Sequence, residues 1–390
     1  MKVLITTDLF TTDTNGVVTS VRNLRAALEA AGHEVRILTF SENRKSHAEG
    51  GVYYIKSMSL EWVYPNVRMP LKYRHPYVRE LIEWCPDVIH TQCEVFSYQY
   101  ALKISKKTGA PIVHTYHTMY EDYVGYVIPF KRLGRWLVRK LVRYRLKKAK
   151  SIIVPTAKVE ASLRSYGMSQ PMLIIPSGID LSQHRERITA AEREDRRKKL
   201  GIPEDAHVII NLGRLGTEKN VDELIEYYKK LSMTYPELHF LIVGDGPAKE
   251  KLETLAKEYT EQGKIIFTGM VNPKEVHLYY QLGDIFVSAS TSETQGLTYV
   301  EAMANGLPLL CRRDDCLDGV LIDGANGFSY ENAEEFYAHL EHLLKDRELT
   351  RNASVRSREL AERFDRSHFG RSVIELYCQA INEKEKIKHV

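Results

Sequence analysis

Short apolar runs alternate with stretches of helical spacing along this chain, and that alternation constrains the fold more than any other feature. Residues 2–9 read as a buried strand. Val17, Val18, Val21, Leu24, Leu28 and Ala31 then recur at helical spacing, with Gly32 as the stop. Residues 35–40 make the next strand and close a βαβ unit. Apolar runs follow at 87–90, 111–115, 151–154 and 172–175, mostly separated by helical patterns, which predicts a parallel sheet. A second series opens near residue 207 with HVIINLG, then LHFLIVG, KIIF, DIFVSAS and LPLLCR. The segment after 333 is helical throughout. The expected class is α/β, with two doubly wound Rossmann-like domains facing a cleft. PSGID (176–180) sits between the series as a linker, so the domains are expected at 1–176 and 177–367, with a last helix, 368–390, packing back on the first. Sheets of this kind bind ligands beyond the carboxyl ends of their strands.

At 390 residues the chain can fill two cores. With 43% hydrophobic and 27% charged residues, it has a folded protein's balance rather than a disordered one's. Cys85, Cys93, Cys311, Cys316 and Cys378 show no metal-ligand spacing, and their odd number argues for a reducing compartment. The start, MKVLITTDLF, turns acidic too soon for a signal peptide, and no run approaches the roughly 18–20 apolar residues that span a bilayer. The net charge of +4 hides an asymmetry. Residues 1–175 hold 26 Lys and Arg against 14 Asp and Glu, and the remainder holds 29 against 37. A basic first half is expected to meet an anionic surface.

Two loops of the second series carry chemistry. GRLGTEKN places Arg214 and Lys219 just past a strand end, and SETQG places Glu293 and Gly296 at a second one, before a helix starting near Leu297. Two cations and the free N–H groups of a helix start make a diphosphate site that calls for no metal. Each hydrogen bond to a charged group is worth roughly 1.5–3 kcal/mol, so several together hold a nucleotide well. Carboxylates would repel phosphate, but each can accept from both hydroxyls of a vicinal diol. Glu293, before the helix, suits a hexose; Glu301, about one turn in, suits a ribose. The plain alternative is a solvated loop Glu and a helix-surface Glu. Gly296 and the matching basic loop weigh against it. In the first series, Gly16 of TTDTNG lets backbone approach a diphosphate closely. This loop is not GxGxxG, which disfavours a nicotinamide enzyme. His117 in HTYHTMYED follows a strand end, where a lone His is more often structural than functional. Asp13 and Asp122 lie near these loops with no specific role.

These residues carry a resemblance. The Glu-x7-Glu pattern at 293–301, GRL…EKN, VGDGP at 243–247, FTGMV at 267–271 and PSGID together resemble the large retaining family of GT-B glycosyltransferases that includes sucrose synthases and phosphatidylinositol mannosyltransferases. The likeness spans nearly the whole chain. It implies that Glu293 and the groups of Gln295, Gly296, Leu297 and Thr298 hold the donor sugar. It implies Glu301 on the ribose, Arg214 and Lys219 on the diphosphate, Val271 and its neighbours on the base, and Gly16 near the diphosphate. His117 would stand near the donor sugar. The catalytic set would be His117, Glu293, Arg214 and Lys219. The implied reaction retains anomeric configuration by same-face attack, without a covalent nucleophile, a cofactor or a metal.

The remaining signal is FKRLGRWLVRKLVRYRLKKAK (130–150), with ten Lys and Arg and no acid from 131 to 150. Leu133, Trp136, Leu137, Leu141 and Tyr144 form one helical stripe; Arg132, Arg135, Arg139 and Arg143 form another. With Lys140, this reads as a basic amphipathic helix lying on an anionic membrane. The alternatives are a helix packed on its apolar side with a solvated basic face, and a nucleic-acid surface, for which no base-reading module is evident. A second aromatic and basic patch, WVYPNVRMPLKYRHPY (62–77), would flank an acceptor entrance. SETQGLT with the basic helix most resembles the bacterial diacylglycerol α-glucosyltransferases. That implies UDP-glucose as donor, diacylglycerol as acceptor, and a peripheral place on the inner face of the cell membrane, with no nucleic acid partner. Phosphatidylinositol or a soluble sugar is the alternative acceptor, and a binding module with a degenerate cleft is the alternative to an enzyme. The intact Arg214, Lys219, Glu293 and Glu301 set argues against the last.

Overall fold

Residues 1–10, 16–42, 45–60, 68–119 and 131–388 are described by a computed structural model. They form two units, Met1–Gly178 with Arg366–Val390, and Ile179–Asp365. The divisions fall two residues later and two residues earlier than the sequence predicts.

The first sheet contains β1 (Lys2–Thr6), β2 (Glu34–Ser41), β3 (His47–Glu49), β4 (Val52–Ser59), β5 (Arg68–Pro70), β6 (Val88–Thr91), β7 (Ile112–Thr115), β8 (Ser151–Val154) and β9 (Met172–Ile174). Their order among the described residues is β3-β4-β2-β1-β6-β7-β8-β9, with β5 beside β4. Pairing is parallel from β4 through β9 and antiparallel at β3 and β5. Val3, Leu4 and Ile5 are all fully buried, so β1 carries core on both faces, as a central parallel strand must. The sequence does not announce β3, β4 and β5. β3 and β5 are only three residues each, and β4, VYYIKSMS, turns mostly polar after Ile55, so the run-counting that finds buried strands passes over them. The predicted first strand also ends sooner, at Thr6.

One face of this sheet is covered by the helix Gly16–Ala30 and by Arg366–Lys388, whose Phe369, Val373, Leu376 and Tyr377 pack with Val21, Leu24 and Leu28. The Tyr377 hydroxyl lies 2.6 Å from His90 Nδ1, joining the end of the chain to β6.

The second sheet runs β10 (His207–Leu212), β11 (Leu238–Val243), β12 (Ile265–Phe267), β13 (Ile285–Ser288), β14 (Leu309–Arg312) and β15 (Gly327–Tyr330). Its order is β12-β11-β10-β13-β14-β15, all parallel. The order reverses between β10 and β13. That is the switch point at which crossovers leave to opposite faces and a crevice opens past the strand ends. The two carried loops, GRLGTEKN and SETQG, are the ones that follow β10 and β13. The core divides about the sheet, with Val208, Ile210, Leu241 and Phe286 on one side and Ile209, Phe240, Ile242 and Val287 on the other. β15 was not evident in the sequence, because GFSY offers neither an apolar run nor a full alternation.

Candidate active site

The four loops past β12, β11, β10 and β13 lie side by side because their strands do. Backbone contacts lock them together. Gly213 N–H donates to the Val243 carbonyl at 3.0 Å, Leu215 N–H to Asp245 at 2.9 Å, and Gly244 N–H to Gly269 at 3.1 Å. Gly244 has φ +135°, and a Cβ there would stand 2.0 Å from the Gly213 carbonyl oxygen. VGDGP is thus a packing requirement of the loop beside it. Val271 is half-buried against the core, at the end of the FTGMV turn.

Past β10, the chain makes a single turn at Thr217–Lys219 and enters the helix Val221–Ser232 through Asn220, which has φ +51°. The Asn220 amide donates to the Ala289 carbonyl at 3.1 Å, and the Ser292 hydroxyl donates to the Glu218 carbonyl at 3.3 Å. These bonds bring the two loops into register. Lys219 Nζ donates to Glu293 Oε1 at 2.5 Å, with both side chains about one-fifth exposed. Arg214 pairs with Glu218. The structure therefore joins Lys219 to Glu293 directly and adds Glu218, which the sequence reading did not single out. Its position four residues after Arg214 was the available signal.

Gly296 precedes the helix Leu297–Ala304 with φ +71°, and a Cβ there would meet the Tyr299 ring at 2.4 Å. Both facts exclude other residues at this corner. Gln295 and Gly296 are buried; Leu297 and Thr298 are half-buried in the first turn. Glu301 lies one turn on. Its Oε2 accepts from the Tyr280 hydroxyl at 2.9 Å. Glu301 keeps some solvent contact, yet the protein packed around its carboxyl pushes its pKa up to about 7, with the Tyr280 bond pulling the other way. Tyr280, fully buried on the helix Val276–Tyr280, is a positioning partner that the sequence did not disclose.

The other predicted residues lie in the first unit. Gly16 is exposed at the start of its helix; Asp13 falls outside the described residues. His117 follows β7 and is half-buried. Its Nε2 is 2.6 Å from Gln92 Oε1, and burial, then the neighbouring His114, lower its pKa to about 3. It is a neutral imidazole at any ordinary pH. Asp122 and residues 62–67 of the aromatic and basic patch also lie outside the described residues. Of that patch, Leu71 and Tyr73 are exposed.

The helix Lys131–Leu146 settles which of its stripes packs. Gly134, Val142 and Leu146 are buried and Val138 half-buried, so a narrow third stripe faces the protein. Leu133, Trp136, Leu137, Leu141 and Tyr144 are all exposed, between 44 and 76%. Arg132, Arg135, Arg139, Lys140 and Arg143 are exposed beside them. The helix does pack on an apolar side with its basic face in solvent, but that side is Gly134, Val138, Val142 and Leu146 and not the larger apolar stripe. Lys140 Nζ stands 4.0 Å from the Trp136 ring centre, and the Arg139 guanidinium lies over Tyr166. Among the described residues, no helix is long and apolar enough to cross a membrane, and no group of three or more His, Cys, Asp or Glu could hold a metal ion.

Two Rossmann-like sheets, the second presenting paired acids and cations at its switch point, define a GT-B glycosyltransferase. The comparisons agree. Residues 192–360 match the family model described as Glycosyl transferases group 1, and residues 14–183 match Glycosyltransferase Family 4. The chain is 34% identical over 389 residues to the alpha-monoglucosyldiacylglycerol synthase of Acholeplasma laidlawii, covering 95% of each. It is 31% identical to the protein of the same name from Streptococcus pneumoniae, covering 98% of this chain and 86% of that one. The fold is shared with Anabaena HepE, solved in complex with UDP-glucose, at a TM-score of 0.75, 16% identity, and coverage of 97% and 100%. The chain belongs to glycosyltransferase family 4.

The raised pKa of Glu301 gives a test of its proposed partner. A carboxylate accepts from two ribose hydroxyls; a protonated carboxyl offers one acceptor fewer. With its pKa pushed up to about 7 by burial, Glu301 is expected to lose its proton between pH 6 and pH 8. UDP-glucose, whose diphosphate ester does not titrate in this range, should bind more tightly as pH rises from 6 to 8, and Glu301→Gln should flatten that dependence. Calorimetry showing the same slope in both proteins would remove Glu301 from the ribose.

Proposed function

We propose that this enzyme moves a hexose, glucose on the present reading, from UDP-glucose to the 3-hydroxyl of 1,2-diacylglycerol at the inner face of a cell membrane, giving an α-monoglucosyl product. The observation that carries the lipid acceptor is the exposed apolar stripe of Lys131–Leu146, flanked by exposed arginines. A helix with this division lies in a membrane interface, its apolar side in the acyl boundary and its basic residues on anionic headgroups. The names of the two curated relatives point to the same product class.

The donor is assigned to the second unit. Lys219 spends one of its three N–H donors on Glu293, leaving two for diphosphate oxygens. Arg214 and the first turn of Leu297–Ala304 add donors around the same place. The hexose hydroxyls fall to Glu293, the ribose to Glu301 and the base to the turn ending at Val271. Negative charge that grows on the leaving diphosphate is met by donors already in position. The acceptor proton passes to that departing diphosphate as the new bond forms on the same face. His117, held neutral by burial, is assigned to the reaction as a hydrogen-bonding group rather than a charge.

Mass spectrometry of products from a panel of nucleotide sugars, supplied with anionic liposomes containing diacylglycerol, tests the whole proposal. A product other than hexosyl-diacylglycerol would replace the acceptor. A narrower expectation concerns the diphosphate. Lys219→Ala and Arg214→Ala should each weaken UDP binding by about tenfold to a hundredfold, from the roughly 1.5–3 kcal/mol of a charged hydrogen bond. EDTA should leave both binding and turnover unchanged, because protein cations do the work of a metal. Unaltered calorimetric titrations of both variants, or loss of turnover in EDTA restored by Mg²⁺, would sink that assignment.

A further inference from the structure

The first sheet has a switch point of its own, between β1 and β6, and polar groups that the donor assignment does not use collect past it. Asp8, two residues after β1, accepts from the backbone N–H groups of Ser97 at 2.6 Å and Phe96 at 3.2 Å, where the helix Ser97–Thr108 begins. Glu94, three residues after β6, is 2% exposed. Its Oε1 lies 3.0 Å from Nε2 of the fully buried His114 on β7, whose Nδ1 is 2.7 Å from the Thr91 hydroxyl. The Tyr98 ring stands edge-on to His114 with centroids 6.0 Å apart.

Among the described residues, several buried polar atoms of this neighbourhood make no hydrogen bond, Gln92 Nε2 and Gln99 Nε2 included, and two more belong to a phenol and a guanidinium. The Tyr98 hydroxyl is wholly buried and makes no hydrogen bond, and neither does Nε of Arg145, which lies in the last turn of the basic helix. The Arg145 charge is felt at Tyr98, and also at Tyr73, which stands exposed near Asp8. Arg145 is thus a charged neighbour of both the exposed Tyr73 and the buried Tyr98, opposing the rise that burial causes in each phenol's pKa. Burying a donor without a partner is costly, and folded proteins rarely tolerate it without a reason.

We propose that Tyr98 and Arg145, together with the Glu94–His114 pair, form the subsite that receives the hydroxyl-bearing end of the acceptor. This rests on the transfer function proposed above and adds a class to it. A phenol and a guanidinium N–H donate, whereas a carboxylate accepts. An alcohol next to an ester carbonyl matches both. Asp8 and Glu94 put two carboxylates in the neighbourhood of Tyr98, and carboxylates repel a phosphorylated head. The acceptor of this subsite is a neutral polyol ester such as a glycerolipid with a free hydroxyl, rather than a phosphoinositide.

Tyr98→Phe removes one oxygen and keeps the ring. Because that oxygen has no protein partner, the fold should lose nothing, and Tm should stay level or rise. With dioctanoylglycerol in detergent micelles, the acceptor KM should rise about tenfold or more, while UDP-glucose affinity and slow acceptor-free hydrolysis remain at wild-type values. Glu94→Gln should raise the same KM. A Tyr98→Phe enzyme with wild-type acceptor KM overturns the subsite. So does a variant that falls in Tm and loses donor and acceptor affinity together, because that is the mark of a structural hydroxyl. If the wild type glycosylates a different neutral hydroxyl acceptor, the diacylglycerol assignment fails; the same two variants, read with that acceptor, still decide the subsite. A phosphorylated lipid as the true acceptor overturns the neutral class proposed here.

Discussion

Glu293→Ala should lower sugar transfer by about 10² to 10⁴, while UDP binds as well as before or better. The carboxylate is assigned to two hydroxyls of the transferred hexose, and two charged hydrogen bonds amount to roughly 3–6 kcal/mol, with each 1.36 kcal/mol a factor of ten in rate. The nucleotide should not suffer, since the partner of Glu293 is Lys219 at 2.5 Å. Without Glu293, that ammonium is released from its carboxylate and its charge is more available to a diphosphate. The signature is therefore a split: kcat/KM for transfer collapses as calorimetric UDP affinity holds. Glu293→Gln should recover part of the transfer, because an amide still offers one acceptor. Transfer by Glu293→Ala within tenfold of wild type would take this residue off the sugar. Weakened UDP binding would instead mean that the pair with Lys219 is a scaffold of the loop.

This split was legible only in part from sequence. Glu293, Glu301, Arg214 and Lys219 stood out because charged residues just past apolar runs have few structural excuses. The strand order, which puts β10 beside β13, then made their two loops neighbours. Which acid meets which base was not legible. Glu218 and Glu293 are both within reach of the loop cations by spacing, and only the αL turn at Asn220, with its amide bound to Ala289, points Lys219 at Glu293. Tyr280 and Gln92 were invisible for a related reason. A tyrosine in HLYYQLGD and a glutamine in HTQCE carry no pattern of their own. They acquire meaning when their elements bring them to Glu301 and His117. The central strands were readable because both of their faces are buried. β3, β4 and β5 were not, since β3 and β5 are three residues each and the second half of β4 is mostly polar and exposed.

The basic helix shows the same limit in a sharper form. Periodicity separates its residues into stripes but does not say which stripe meets the protein. The default would pack Leu133, Trp136, Leu137 and Leu141 inward. The fold uses Gly134, Val138, Val142 and Leu146 instead, smaller on average than the leucine and tryptophan stripe it leaves outside. Five large apolar or aromatic side chains on one exposed face form a contiguous patch of the kind that soluble surfaces avoid unless a partner or a membrane covers it. Among the described residues, four further exposed apolar residues, Met58, Leu71, Tyr73 and Ile174, belong to the same unit.

Reversing Arg132, Arg135 and Lys140 to Glu should release the enzyme from anionic vesicles. These positions are preferred to Arg139 and Arg143, because Arg139 stacks on Tyr166 and Arg143 lies against Gly167, so changing either would disturb the helix as well as its charge. Each replacement removes one attraction to the anionic surface and adds one repulsion. At about 1 kcal/mol per charge the total is about 6 kcal/mol, or about four powers of ten in partitioning. Wild-type binding should itself weaken with salt, because exposed charges are screened over roughly 8–10 Å near physiological ionic strength. The donor residues lie in the other unit, so UDP affinity and Tm should hardly move. Transfer to diacylglycerol in vesicles should fall with binding, and transfer to detergent-dispersed diacylglycerol should fall far less. Replacing Trp136 and Leu141 with Ser would separate the two contributions, since it leaves every charge in place and should weaken binding to neutral and anionic vesicles alike. Flotation of the charge-reversed protein with anionic vesicles at the wild-type level would show that the helix is not the anchor. The exposed stripe would then need a protein partner to explain it.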